Sequence, residues 1–246
     1  MFNLRKKLGI TTLLTLTLGL VGSSQADIIL DDFSYSPVVN IEVNSGSTSE
    51  TTERVDINAL GGDVIYTLIY NDGQLDSSST SIDFGGDDAL TWNNAVTMLS
   101  TLSLFYTDAN ANGTPSGPLD LTASGNQNSF YYDIIFSDVG FDISIIVGSG
   151  GFDFGARHSL DESAYSSTSA SVSSLTRTTL SFSDFNTVSG SGADFASVDY
   201  VHVLLSTNTA GADMMITEFG TVPEPTSLAI FALGLIGLAF GARKKT

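Results

Sequence analysis

The sequence predicts an all-β fold, an antiparallel β-sandwich of the jelly-roll kind, and three observations predict it. Short runs rich in Val, Ile, Phe, Tyr and Thr recur along the chain, clusters of Gly, Asn, Asp and Ser separate them, and no segment after Asp27 keeps a 3.6-residue apolar period over three turns. The runs cover residues 64–70, 95–106, 130–136, 141–147, 178–182, 198–206 and 214–219. Strict alternation in Thr101-Leu102-Ser103-Leu104-Phe105 and in Asp199-Tyr200-Val201-His202-Val203-Leu204 gives each of those strands one apolar face. Between the runs, Gly61-Gly62-Asp63, Asn71-Asp72-Gly73, Gly85-Gly86-Asp87-Asp88 and residues 189–192 carry turn chemistry, because Gly supplies positive φ and Asn or Asp bonds its own backbone. Gly148-Ser149-Gly150-Gly151 also reads as a turn, since no helix follows it to make a dinucleotide loop. About nine or ten strands are expected, enough for a jelly roll. Residues 159–179, rich in Ser and Thr with few apolar positions, read as a long surface loop or a carrier of O-linked sugar.

Composition narrows the chemistry. The 246 residues contain no Cys, which excludes a disulfide scaffold, a Cys-ligated zinc module and a thiol enzyme. Acidic residues number 27 against 9 basic ones, for a formal net charge of −18, which argues against a nucleic-acid partner: phosphate backbones are bound by Lys and Arg. Between residues 27 and 220 the only basic side chains are Arg54, Arg157 and Arg177. Such a surface attracts divalent cations and polycations, and its simplest consequence is solubility.

The remaining basic residues gather at the two ends. Arg5, Lys6 and Lys7 precede an apolar run over residues 8–21, and the chain then turns small and polar, with Ser24 and Ala26 at the −3 and −1 positions of a signal peptidase site. Residues 1–26 are therefore expected to be a signal-peptide helix, cut before Asp27. At the other end Val222-Pro223-Glu224-Pro225 leads into an uncharged apolar stretch over residues 228–242, closed by Arg243, Lys244 and Lys245. At 1.5 Å per residue this expected helix is shorter than the roughly 20 residues that cross a bilayer core comfortably, and Gly234, Gly237 and Gly241 weaken it further. The chain divides into a signal peptide (1–26), an acidic β-sandwich ectodomain (27–220) and a C-terminal signal (221–246).

That C-terminal segment resembles the PEP-CTERM sorting signal, also known as the ice-binding protein C-terminal domain. The motif Pro223-Glu224-Pro225, the apolar helix and the basic Arg243, Lys244 and Lys245 stand in the family's order. The resemblance implies export across the inner membrane of a Gram-negative bacterium, transient residence there through the C-terminal helix, and cleavage near the motif by exosortase. It further implies delivery to the envelope, the outer surface or a biofilm-type extracellular polysaccharide matrix. An ordinary C-terminal membrane anchor predicts the same topology with a different fate. Ice binding is not implied by the alternative name, because the Thr residues are not regularly spaced.

Local phrases of the ectodomain are similar to the galactose-binding-like jelly roll of carbohydrate-associated modules: Leu30-Asp31-Asp32-Phe33-Ser34, Ser181-Phe182-Ser183-Asp184-Phe185 and Val198-Asp199-Tyr200-Val201. They imply a fold and fix no ligand.

Candidate site chemistry is sparse. Asp108-Ala109-Asn110-Ala111-Asn112-Gly113 fits the opening of an EF-hand-type calcium loop, whose hard cation needs oxygen ligands at alternate positions. Position 12 of that loop is Leu119, and Asp120 falls one place late, so a weak calcium site at Asp108, Asn110, Asn112 and Asp120 competes with a plain Asn-Gly turn. A second calcium candidate joins Asp31 and Asp32 to Asp213 by fold analogy. Trp92 and Tyr131, with Tyr132, are candidates for a sugar-stacking platform, which requires solvent-facing rings. His158 and His202 are the only histidines and share no spacing for zinc or a triad. No catalytic residue is identified and no cofactor beyond calcium is suggested. The expectation is a structural or adhesive exosortase substrate that is not an enzyme, with a surface carbohydrate-binding module as the alternative and a glycoside hydrolase with two facing carboxylates behind it. Signal peptidase and exosortase are the expected processing partners, and extracellular polysaccharide the candidate ligand.

Overall fold

A computed structural model describes residues 27–34, 39–43, 49–55, 63–73, 80–84, 88–107, 117–153 and 158–223. The expected signal-peptide helix and residues 224–246 lie outside them. Fourteen strands are described: β1 (Ile28–Asp31), β2 (Val39–Val43), β3 (Ser49–Val55), β4 (Asp63–Gly73), β5 (Thr80–Phe84), β6 (Leu90–Asn94), β7 (Met98–Thr107), β8 (Ser129–Ser137), β9 (Phe141–Asp153), β10 (His158–Ser169), β11 (Thr176–Ser181), β12 (Asn186–Ser189), β13 (Val198–Ser206) and β14 (Asp213–Val222). They form two antiparallel seven-stranded sheets. The first runs β11-β8-β14-β6-β5-β2, with β1 also paired to β14, and the second runs β12-β10-β9-β13-β7-β4-β3.

The alternation seen in the sequence decides which face of each strand is buried. On β13, Val201, Val203 and Leu205 point into the core while His202, Leu204 and Ser206 are half-buried on the other face. On β7, Leu102, Leu104 and Tyr106 do the same, and on β9 so do Ile143, Ile145 and Val147. These side chains meet Phe130, Tyr132 and Ile134 of β8 and Met214, Ile216 and Phe219 of β14 in one apolar cluster between the sheets. Tyr106 stacks on Phe219 with ring centroids 5.8 Å apart, and Phe219 on Phe130 at 5.5 Å, so aromatic contacts tie the two layers.

The segment after β1 enters the same core. Leu30 and Phe33 are fully buried, and the buried Asp31 carboxylate accepts from Tyr66 Oη at 2.7 Å and from the Phe33 N–H at 2.9 Å. Hydrogen bonds to both oxygens offset the cost of removing this group from water.

Three local expectations are corrected. Residues 159–179 are not one loop: β10 pairs with β9 from His158 to Ser169 and β11 begins at Thr176, leaving only residues 170–175 between strands, and Tyr165 packs against the core. Gly148 to Gly151 lies within β9, where the register shifts against β10 and β13 and positive φ at Gly150 and Gly151 absorbs the irregularity. Asn71-Asp72-Gly73 likewise belongs to β4, with a shift in the pairing to β7 between Tyr70 and Asp72.

Candidate functional site

The second sheet turns one face to the core and the other outward. Register places Thr168 of β10 opposite Asp142 of β9, Asp142 opposite Ser206 of β13, and Ser206 opposite Thr101 of β7. One step along the strands, Ser166, Ser144, Leu204 and Ser103 form a parallel row. A groove of about 590 Å³ runs over these rows, lined by Thr101, Asp142, Ser144, Thr168 and Ser206 around Leu204.

Its polar atoms are held in place by neighbours. Asp142 accepts from Thr168 Oγ1 at 2.6 Å through one oxygen and from Asn208 Nδ2 at 3.0 Å through the other. Thr101 Oγ1 accepts from Asn71 Nδ2 at 2.6 Å. The groove therefore offers a carboxylate acceptor, hydroxyls and one apolar side chain, the groups that meet a polyhydroxylated ligand.

At the other end of the same face lies an aromatic cluster. Tyr200 stacks on Phe105 with centroids 5.0 Å apart, and Phe152 packs against both at 5.4 and 5.8 Å. Tyr200 Oη donates to Glu162 Oε1 at 2.7 Å, and that oxygen also accepts from the Ser159 N–H at 3.0 Å. Burial, and then the Glu162 carboxylate, push the Tyr200 phenol above its ordinary range.

Ser103 Oγ lies 2.8 Å from His202 Nε2, a nucleophile-to-base distance. Both residues are mid-strand in β7 and β13, each flanked by a paired strand on both sides. Ladder bonding there commits the backbone N–H groups, which leaves this pair without an oxyanion hole. The arrangement does not support acyl transfer.

The residues singled out from sequence fall elsewhere. Trp92 is fully buried on β6, its indole N–H donating to Ser100 Oγ at 3.0 Å, and Ser100 Oγ donates on to Asn94 Oδ1 at 2.5 Å. Tyr131 is also fully buried: the Arg177 guanidinium covers its ring at 3.9 Å, and its hydroxyl donates to Glu218. Tyr132 faces the core. None of the three presents a ring to solvent, so the stacking platform expected of them is corrected; period-2 patterning does not reveal which faces other elements cover.

Of the calcium candidates, Asp108, Asn110 and Asn112 lie outside the described residues. Asp120 instead organises a turn, its carboxylate accepting from Thr122 Oγ1 at 2.6 Å, the Thr122 N–H at 2.9 Å and the Ser124 N–H at 2.8 Å. These bonds, the Thr122 hydroxyl first, lower its pKa. Asp31 sits opposite Phe219, six residues along β14 from Asp213, a separation of roughly 20 Å at the usual strand rise, so Asp31, Asp32 and Asp213 do not form one site. Among the described residues no group of three or more His, Cys, Asp or Glu is placed to hold a metal ion. Pro223 follows β14 directly, whereas Glu224, Pro225, Arg243, Lys244, Lys245, Ser24 and Ala26 lie outside the described residues.

The chain's final segment has a recognised counterpart. Residues 221–245 match the PEP-CTERM protein-sorting motif. The PEP-CTERM match begins within β14, at Thr221, and runs to Lys245. No curated protein matches the chain. Solved structures similar to it include a family 11 carbohydrate-binding module from Clostridium thermocellum, in complex with a β-1,3-1,4-mixed-linked tetrasaccharide. That module shares 14% identity at a TM-score of 0.41, over 82% of this chain and 98% of its own. A family 30 carbohydrate-binding module of a Clostridium thermocellum cellulosomal cellulase is 14% identical at a TM-score of 0.43, over 81% and 99%. An agarase is 10% identical at a TM-score of 0.42, over 82% of this chain and 25% of the enzyme.

Proposed function

We propose that this is an exported bacterial surface protein, sorted and cut by exosortase, whose acidic β-sandwich serves a structural or adhesive role in the envelope or its polysaccharide matrix. The observation that carries the reading is the PEP-CTERM motif at residues 221–245, joined to β14 without an intervening linker. The test is the intact mass of the protein recovered from the envelope and medium of a Gram-negative host that makes exosortase. Loss of the residues before Asp27 and of those after the Pro223-Glu224-Pro225 motif is the expected result. Retention of residues 228–246 would leave an ordinary anchored ectodomain.

A second reading is favoured by the groove on the second sheet. Thr101, Asp142, Ser144, Thr168 and Ser206 around Leu204 suit a neutral polysaccharide chain, with hydroxyls and a fixed carboxylate bonding its hydroxyls and Leu204 against a sugar face. Retention of the processed protein on insoluble neutral polysaccharides, lost in Asp142→Ala and Leu204→Glu, would support it. Equal retention of both variants would remove the groove from consideration.

A further inference from the structure

The outer face of the first sheet carries an ion cluster at the point where the ectodomain begins. Arg177 of β11 donates to both oxygens of Asp133 on β8, Nε at 2.9 Å and Nη2 at 2.7 Å, and its Nη1 donates to Asp27 Oδ2 at 2.6 Å. Glu218 of β14 lies 3.7 Å from Nη2. Beneath the guanidinium is the Tyr131 ring, and beside that ring Gly220 makes room for β1: a Cβ there would overlap both Tyr131 and the Ile28 carbonyl.

Two features of this cluster point to the chain's own end. Asp27 is the residue left first by the cleavage expected at Ser24 and Ala26, and Ile28 pairs with Thr221, where the sorting motif begins. One guanidinium also faces three carboxylates, of Asp27, Asp133 and Glu218. Cleavage before Asp27 would place an ammonium group on that same residue, a second cation where negative charge is in excess.

We propose that Arg177 fastens the N-terminus created by signal-peptide removal, and that this fastening holds β1 on β14 so the strand entering the sorting motif stays seated in the sandwich. The role rests on export with cleavage before Asp27. It assigns Arg177 a purpose that Asp133 alone does not explain: the bidentate bond to Asp133 fixes the fork, and the fork's free arm reaches the terminal residue. Without that arm, β1 is held by its short ladder to residues 219–221, by the Asp31–Tyr66 hydrogen bond at its far end and by the burial of Leu30 and Phe33. Terminal strands of this kind open locally before the fold does.

The test uses the full chain, processed in cells, with Arg177→Gln and Asp27→Ala compared to the unaltered protein. Intact mass reads the N-terminus, and amide hydrogen exchange reads residues 28–31 against residues 201–205 of β13. The expected result is a chain beginning at residue 27, with exchange over 28–31 about five-fold faster in both variants and unchanged over 201–205, the size set by a partly exposed ion pair. Asp27→Ala leaves the Arg177–Asp133 bond in place, so it reports on the clip even where Arg177→Gln folds poorly. A chain beginning at residue 27 with unaltered exchange over 28–31 in Asp27→Ala would overturn the clip. A mass retaining residues before Asp27 would overturn the export reading itself, and this role with it.

Discussion

The Tyr200 ring lies directly over Gly148, and a methyl group on that glycine would overlap the ring. The ring has nowhere to go, because its hydroxyl is bonded to Glu162 and its face is stacked on Phe105. The aromatic end of the outer face thus depends on a residue with no side chain.

Gly148→Ala should lower stability by about 1–3 kcal/mol, the usual cost of forcing an extra methyl into a packed site. The measurement is the urea midpoint of the processed protein at constant m-value. An unchanged midpoint would mean the Tyr200 ring is free to swing outward.

Trp92→Phe should cost about 1–3 kcal/mol, through the lost bond to Ser100 and the volume the indole fills. Because the residue is fully buried, the substitution should leave retention on polysaccharide untouched. A loss of binding with unaltered stability would restore Trp92 as a surface platform.

The phenols of Tyr131, Tyr132 and Tyr200 are all held above their ordinary range, burial being the first cause in each and Glu218 and Glu162 the next for Tyr131 and Tyr200. A folded state that holds these protons more tightly than the unfolded chain keeps its full stability below the ordinary phenol pKa of about 10 and loses it as pH rises toward the folded values. Ultraviolet titration of phenolate should therefore show part of the tyrosine signal appearing only with unfolding. A single smooth ionisation of all the tyrosines near pH ~10 would contradict this.

Asp213 and Asp120 should respond to neutralisation in opposite senses. Burial, and then Asp138, raise the Asp213 carboxyl, so its ionisation opposes folding at neutral pH and ceases to do so in acid. Asp213→Asn should raise the thermal midpoint near pH ~7 and have little effect near pH ~3. Asp120 has a lowered carboxyl, whose contribution is present above the ordinary carboxylate range and lost as pH falls through the folded value. Asp120→Asn should lower the midpoint near neutrality. Shifts of the same sign in the two variants would contradict the assigned environments.

The sandwich was legible because its central strands alternate cleanly: Val201, Val203 and Leu205 face the core as their spacing requires, and His202 faces away. Strands such as β10 escaped because the core-facing side carries Ser163 beside Tyr165, too polar to register as an apolar run. The groove escaped for another reason. Asp142, Ser144, Ser206 and Thr101 each sit on the outward beat of an alternating strand, a signal present in the sequence, but only register makes neighbours of them. Trp92 and Tyr131 misled because aromatic residues fill cores as readily as they meet ligands, and Tyr131 is covered by a guanidinium from a strand more than 40 residues away in sequence.

β14 is the last strand of the sandwich and lies inside the first sheet, with β8 along one edge and β6 and β1 along the other. That sheet can close only after Val222 has been made, by which time all the other strands have been synthesised. Long-range pairing of this kind is slow to form. The order of synthesis therefore makes completion of the first sheet the last step of the fold, and sets it at the residues where the sorting-motif match begins.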